Sequence, residues 1–530
     1  MNSIHPHKVY TSPMRKLVRF FEQSRDGWKK KCRAAKAEVK RLTQRVQRLE
    51  QSRATWKSRV QTLEEELARS QAQAQALAHE VERLQASNQE VPSSPPRLAA
   101  LAVRLWHQHY SLGHLELFLG LVLSASVSLR GASQTLSVMF AFFQLEAPVP
   151  RWQTGRLWLL RLGYYKLTRP KDKAEDWVWV LDHTVQIGND KALLILGVRL
   201  SVWQARRGCL THEDMEPLAL YPVRHSDGTV VYQQLEETTA QTGLPRAIVS
   251  DHGSDLKAGV ERLGAAHPET RLLYDIKHKT AAVLKRELEQ DARWSQFTQL
   301  AAQTKRQVQQ TALAAFAPPN QRSKARYLNL EELVEWGQGV LTWWDAHPTT
   351  LPGTGSEKLA WVQEFRSALH EWQEALQVVA ITESLVRQEG FYRGLHSQLN
   401  KQLVGIATTP LARRVRAELL LFVAEEASQA RPHEHLPGSS EVIESVFGKF
   451  KFLERDQARS GLTGLLLSVC ALVSTTTQEV IRQAVETVST QDVLKWCEDH
   501  LGPSVQALRR DIFNALDGAE QKWEQLWGSA

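Results

Sequence analysis

Apolar residues recur every three and four positions over residues 25 to 86. With Val39, Val46, Arg53, Val60, Leu67, Ala74 and Val81 at a, the d positions are Leu42, Leu49, Trp56, Leu63, Ser70, Leu77 and Leu84. No heptad is skipped, and Gly and Pro are missing from 39 to 86. Such a pattern predicts a coiled coil, a rod of roughly 70 to 90 Å at the α-helical rise. A single helix cannot bury its own a/d seam, so the segment is expected to pair with a copy of itself. The alternative is an extended solvated helix or an irregular helical hairpin. Arg53 and Ser70 at seam positions weaken it locally and can fix register.

Residues 87 to 98 read as a linker, since Pro92, Pro95, Pro96 and the serines break the helix. Helical periodicity returns over 99 to 170. Within it, one short helix starts at Ser128 to Leu136, and Pro148 to Arg156 leads into another ending near Leu162-Gly163. Two helices with a turn, the second opening on polar and basic residues, suggest a helix-turn-helix-like DNA-binding domain. Gln153, Thr154 and Arg156 would then reach base edges, with Arg151 and Arg161 on phosphates. A helical bundle that merely supports a neighbouring domain fits the same pattern.

From Trp177 the period changes to two. Trp177 to Leu181 and Lys191 to Leu200 are apolar runs flanking Gly188-Asn189-Asp190, which predicts an antiparallel hairpin. Leu218 to Val223 predicts a third strand, Asp227-Gly228-Thr229 opens a helix reaching Thr242, and Arg246 to Ser250 is a buried strand suited to parallel pairing. Residues 281 to 435 read as almost wholly helical, and 436 to 475 and 476 to 530 add further helices. The expected class is therefore α/β, a mixed α+β sheet domain (171 to 280) interrupted by an all-helical insertion.

Composition sharpens this picture in two places. The net charge of +8 is unevenly spread: residues 1 to 60 hold 17 Lys/Arg and 4 Asp/Glu. The basic arm, 1 to 24, and the start of the coiled coil should attract polyanions by releasing counterions. Cys32, Cys209, Cys470 and Cys497 are far apart, with no spacing that suggests structural zinc. No secretory leader is visible at Met1 to Lys8, and the apolar stretch Leu112 to Leu129 is broken by His114 and Glu116. The expectation is a cytoplasmic, nucleoid-associated protein in a reducing setting, with no membrane partner.

Candidate chemistry lies at three acids. Asp182 closes Val178 to Leu181, Asp251 follows Ala247 to Ser250, and Glu444 lies in Ser439-Ser440-Glu441-Val442-Ile443-Glu444-Ser445-Val446-Phe447-Gly448-Lys449. The period of two puts Asp182 on the face of Val178 and Val180, and Asp251 on that of Ala247 and Val249. On adjacent strands the two carboxylates would repel unless a cation lay between them. Oxygen donors without a Cys/His cage suit Mg2+. Glu441 is three residues from Glu444 on one helical face and competes for the third place. Lys449 and Lys451 are candidate phosphate contacts. Asp255 is read as a helix cap and His183 as structural.

This order of acids, with Tyr274-Asp275-Ile276-Lys277-His278 downstream of the second, resembles DDE transposases of the bacterial insertion-sequence type and their D-x-x-H signature, over about residues 100 to 475. The resemblance implies a ribonuclease H-like core and two Mg2+ (or Mn2+) ions on Asp182, Asp251 and Glu444, with Asp275 and His278 positioning nearby. It also implies cleavage at terminal inverted repeats and transfer of the 3′-hydroxyl into target double-stranded DNA by a homo-oligomer. The competing readings are a nuclease or resolvase on the same fold and a non-catalytic DNA-binding coiled-coil protein.

Overall fold

Alternation in the strand sequences sorts their side chains between two cores. A computed structural model describes residues 13–33, 35, 36, 39, 53, 57, 108–183, 191–206, 208–311, 313–320, 330–347, 356–455, 462–502, 510 and 512–514. Five strands, β1 (Trp177–His183), β2 (Lys191–Arg199), β3 (Glu216–Val223), β4 (Ala247–Ser250) and β5 (Arg271–Tyr274), form one sheet in the order β3-β2-β1-β4-β5. β2 lies antiparallel to β1 and β3, while β4 is parallel to β1 and β5 parallel to β4. The turn expected at Gly188-Asn189-Asp190 lies outside the described residues.

Two compact units divide the chain, residues 1 to 96 and 97 to 530. In the first, a helix at 14–33 (α1) begins inside the stretch read as a basic arm, its first turn closing on the Pro13 carbonyl. Most of the coiled-coil segment, the arm before residue 13 and the linker lie outside the described residues.

In the second unit α2 (Leu112–Leu123), α3 (Leu129–Phe142) and α4 (Trp152–Thr168) precede the sheet. The connections between strands carry α5 (Leu200–Arg206), α6 (Gly228–Thr242) and α7 (Ser254–Ala266). The insertion supplies α8 (Ile276–Glu289), α9 (Ala292–Val308), α10 (Leu330–Ala346), α11 (Arg366–Glu389), α12 (Leu395–Gln402) and α13 (Pro410–Ser428). After it come α14 (Glu441–Glu454), α15 (Ser468–Ala471), α16 (Gln478–Thr487) and α17 (Thr490–Leu501). The result is a mainly helical α/β unit around a five-stranded mixed sheet. Among the described residues no helix is long and apolar enough to cross a membrane.

Trp179, Leu181, Leu193, Ile195 and Ile248 point to one side, where Val231, Leu235, Leu256, Val260 and Leu263 of α6 and α7 cover them. Val178, Val180, Leu194 and Val249 point to the other and join a larger core that includes Val442 and Ile443 of α14. Asp227 caps α6 as its sequence suggests, accepting bonds from the Thr229 and Val230 amides. In the insertion Trp294 and Trp372 are core residues: Trp372 packs edge-on against both Trp294 and Phe297, and Trp294 stacks on Phe297.

α4 departs from the sequence expectation. It continues to Thr168, past Leu162-Gly163, because Gly163 serves close packing rather than helix termination. A Cβ there would stand 1.9 Å from the Leu467 carbonyl oxygen. α4 contacts α2, α3, α15, α16 and α17, and every residue from Trp158 to Gly163 is buried.

Candidate active site

β1 and β4 run in register, Val178 opposite Ala247 and Val180 opposite Val249. Two residues further along, Asp182 and Asp251 therefore leave the ends of neighbouring parallel strands on the same face. That face is the one α14 packs against, and α14 also contacts β1.

The electrostatics couple these groups. Burial and the neighbouring Asp251 charge push the Asp182 carboxyl up to about 7, with Glu444 adding to the effect and His278 opposing it. Asp182 also accepts a bond from the His183 amide at 2.6 Å, and Asp251 accepts one from the Gly253 amide at 2.9 Å. Between them His252 adopts φ +57°, a left-handed conformation unusual for a non-glycine residue, and stacks flat on Tyr274 at 4.0 Å.

Asp275 sits where β5 ends and is 1% exposed. One of its oxygens caps α8 by accepting the His278 amide at 2.8 Å, and the other accepts the Ser440 amide at the start of α14, at 2.5 Å. The Ile276 amide adds a bond to the Gly438 carbonyl at 3.0 Å. One buried carboxylate thus fastens two helix N-termini together. Each helix carries one partner of the next contact, His278 Nε2 to Glu444 Oε1 at 3.1 Å. The Glu444 bond raises the His278 imidazole to about 9, against burial. The same His278 bond holds the Glu444 carboxyl below its ordinary value.

Glu441 and Glu444 part company here. Glu444 faces His278 and Asp182, whereas Glu441 pairs with Arg387 at 2.6 Å and lines a cavity of about 710 Å³ with His212, Ser445 and Lys449. Lys277 lies between them, 3.8 Å from Glu441 and 3.6 Å from Glu444.

Asp255 is not the N-cap residue of α7, which is Gly253, but its Oδ1 accepts the Leu256 amide in the first turn at 3.1 Å. Its Oδ2 pairs with Lys191 at 2.5 Å. Against partial burial, the Lys191 and Ser226 bonds hold its carboxyl down at about 2. His183 lies 3.8 Å from Asp255, and burial lowers its imidazole.

Of the expected DNA contacts, Arg151 and Gln153 are exposed and Thr154 half-buried at the start of α4, and Lys451 is exposed on α14. Lys449 is half-buried, reaching toward the Leu123 carbonyl at 3.5 Å. Arg156 is half-buried, and burial lowers its guanidinium, with Cys497 opposing. Arg161 overturns the expectation. It is 9% exposed and donates to the Val488 carbonyl at 2.6 Å and to that of Val485, closing the C-terminal end of α16. With its guanidinium committed inside the fold, Arg161 cannot meet a phosphate. A short polar spacing in sequence does not reveal that a later helix end will claim the side chain.

No known protein family's profile matches the chain, and no curated protein does. Among solved structures, one described as the Drosophila P element transposase strand transfer complex is similar at 11% identity and a TM-score of 0.32. The match covers 79% of this chain and 100% of that one. At that TM-score the likeness carries no argument, and the functional reading rests on the site itself.

As to cation binding, two like-charged carboxylates side by side, one with its ionisation suppressed, form an oxygen-only donor pair that suits a hard divalent ion. Glu444 directs its oxygens to His278 and Lys277. Accordingly, no group of three or more His, Cys, Asp or Glu side chains among the described residues is arranged as a ready-made metal cage. Asp182 and Asp251 offer the donor chemistry such an ion takes, carboxylate oxygens alone, and Glu444 lies within electrostatic reach of Asp182.

Proposed function

We propose that this chain is a DNA transposase of the DDE type on a ribonuclease H-like sheet, cutting at the ends of an element and joining the freed 3′-hydroxyl to target double-stranded DNA. The observation that carries the reading is the parallel register of β1 and β4, with Asp182 two residues past Val180 and Asp251 two residues past the paired Val249, and with burial and the Asp251 charge disfavouring ionised Asp182. Strand order β3-β2-β1-β4-β5, one antiparallel edge and one parallel edge, supports the ribonuclease H-like assignment.

Asp182, Asp251 and Glu444 are the residues that would hold Mg2+ or Mn2+, as a pair of ions. Such ions, when bound, activate the attacking water or hydroxyl and stabilise the leaving oxygen in an in-line displacement at phosphorus. The protein's own part is positional. Asp275 fixes the spacing of α8 and α14, and His278 and Lys277 keep the Glu444 carboxylate ionised beside the aspartates. Glu444 is preferred over Glu441 as the third acid because Glu441 is turned away and neutralised by Arg387. Lys451, Arg151, Gln153 and Thr154 remain available to the DNA backbone or bases, and self-association through the heptad segment completes the reading.

The test is Asp182→Asn, which keeps the side chain's size and removes the ionisable oxygen. Mg2+-dependent cleavage of DNA carrying the element's ends should vanish while binding of the same DNA persists. Cleavage at the wild-type rate would refute the assignment. Cleavage without joining would favour a nuclease or resolvase on the same fold.

A further inference from the structure

α1 presents a row of exposed apolar side chains. Met14 is 76% exposed, Val18 49% and Trp28 66%, and Cys32 on the same side is exposed as well. These positions are not scattered. Counting back by sevens from Val39 gives Cys32, Arg25 and Val18 at a, and counting back from Leu42 gives Ala35, Trp28, Phe21 and Met14 at d. The seam read from 25 to 86 thus continues without a skip to the first turn of α1, through the segment that composition alone assigns to a basic arm.

We propose that this seam is the interface for a second copy of the chain, in a parallel and unshifted two-stranded coil that begins at Met14. It rests on the self-association reading and adds its orientation, register and extent.

Three observations favour that occupant and that geometry. First, of the exposed apolar side chains of α1, Met14, Val18 and Trp28 fall at a or d and Phe20 lies off the stripe, so most of the face has the two positions per heptad that suit one partner helix rather than a broad globular surface. Second, orientation can be read from the flanking charges. In a parallel, unshifted pair, each g residue faces the e residue five positions later on the other chain. Arg45 then meets Glu50, and two heptads on Arg59 meets Glu64. One contact, Lys31 with Lys36, is unfavourable. Third, the polar seam positions Arg25 and Arg53 can be tolerated in a two-stranded coil, because a long basic side chain buries its stem while its charged end reaches water.

One consequence sets this arrangement apart from others. An unshifted parallel pair places each a residue beside its own copy, so the two Cys32 thiols come together. An antiparallel or staggered pair separates them by one or more turns. In the parallel case both basic N-terminal segments also emerge at the same end of the rod, where they can grip neighbouring DNA strands together.

The experiment uses the full-length chain carrying Cys209→Ser, which removes the other exposed thiol, with diamide as oxidant and non-reducing electrophoresis as readout. A disulfide needs Cα atoms within about 7 Å, so the parent should form a cross-linked dimer and Cys32→Ser should abolish it. In the Cys32→Ser background, Arg25→Cys at a should restore cross-linking, roughly ten-fold above Gln23→Cys on the outer face. Sedimentation of the unoxidised protein separates the possible failures. A monomer would overturn the self-association reading and this proposal together. A dimer lacking the Cys32 cross-link, or cross-linking equally from positions 23 and 25, would overturn the parallel, unshifted geometry alone. Neither result bears on cleavage by the Asp182 site.

Discussion

At the scale of single residues, Asp182 is held in conflict. Burial and Asp251 disfavour its ionised form, so its folded value, about 7, lies above the unfolded value near 3.8. A carboxyl raised in this way costs nothing below the unfolded value, and the cost accumulates as pH rises through the interval and is complete above about 7. By the usual equivalence of pKa and free energy, the full cost is on the order of 4 kcal/mol. Removing the charge should relieve it. Without divalent ions, Asp182→Asn should therefore melt higher than the parent at about pH 8, and the two should converge toward about pH 4. Added Mg2+ should raise the melting temperature of the parent at the higher pH more than that of the variant. Melting curves that coincide there would mean Asp182 carries no such strain. His278 has the opposite sense, since its raised value adds stability that is full below about 6.5 and is lost as pH rises from there through about 9, so parent and variant are compared at the same pH.

At the scale of elements, what is legible in the sequence is whatever a continuous apolar run decides. β1, β2 and β4 can be read because each is a near-continuous apolar run buried on both faces of the sheet, and Asp182 and Asp251 at the ends of β1 and β4 come with them. β5 is not legible as a strand, since Arg271-Leu272-Leu273-Tyr274 holds only two aliphatic residues, is only partly buried, and pairs only after α7 has turned the chain back. α4 misleads for a related reason. Its Arg161 looks like any basic residue on a DNA-facing helix until α16, more than three hundred residues later, ends against it. This gives α4 a prediction of its own. Arg161→Ala leaves the Val485 and Val488 carbonyls without their donor, and should destabilise the second unit by roughly 2 to 4 kcal/mol. DNA affinity per folded molecule should stay unchanged. A loss of affinity at full stability would return Arg161 to the phosphate role.

For the molecule as a whole, the distribution of charge matters more than its total. Residues 1 to 60 carry 17 basic and 4 acidic groups, and the chain sums to +8, so the remaining residues are net acidic. A sheet domain with two acidic strand ends does not by itself attract DNA, so on the proposed function the polyanion is brought to it by another part of the chain. The first unit can do this. Counterion release makes the logarithm of affinity fall linearly with the logarithm of salt concentration, with a slope near 0.9 per phosphate neutralised. Because residues 97 to 530 form their own compact unit, removing residues 1 to 86 should leave the Asp182 site folded. The truncated protein should bind generic duplex DNA more weakly at low salt, with a log–log slope smaller by roughly 3 or more. The two affinities should approach each other as salt rises, because what has been removed is a screened, sequence-independent attraction. An unchanged slope would place the DNA-binding charge on the second unit, where Arg151 and Lys451 would have to supply it.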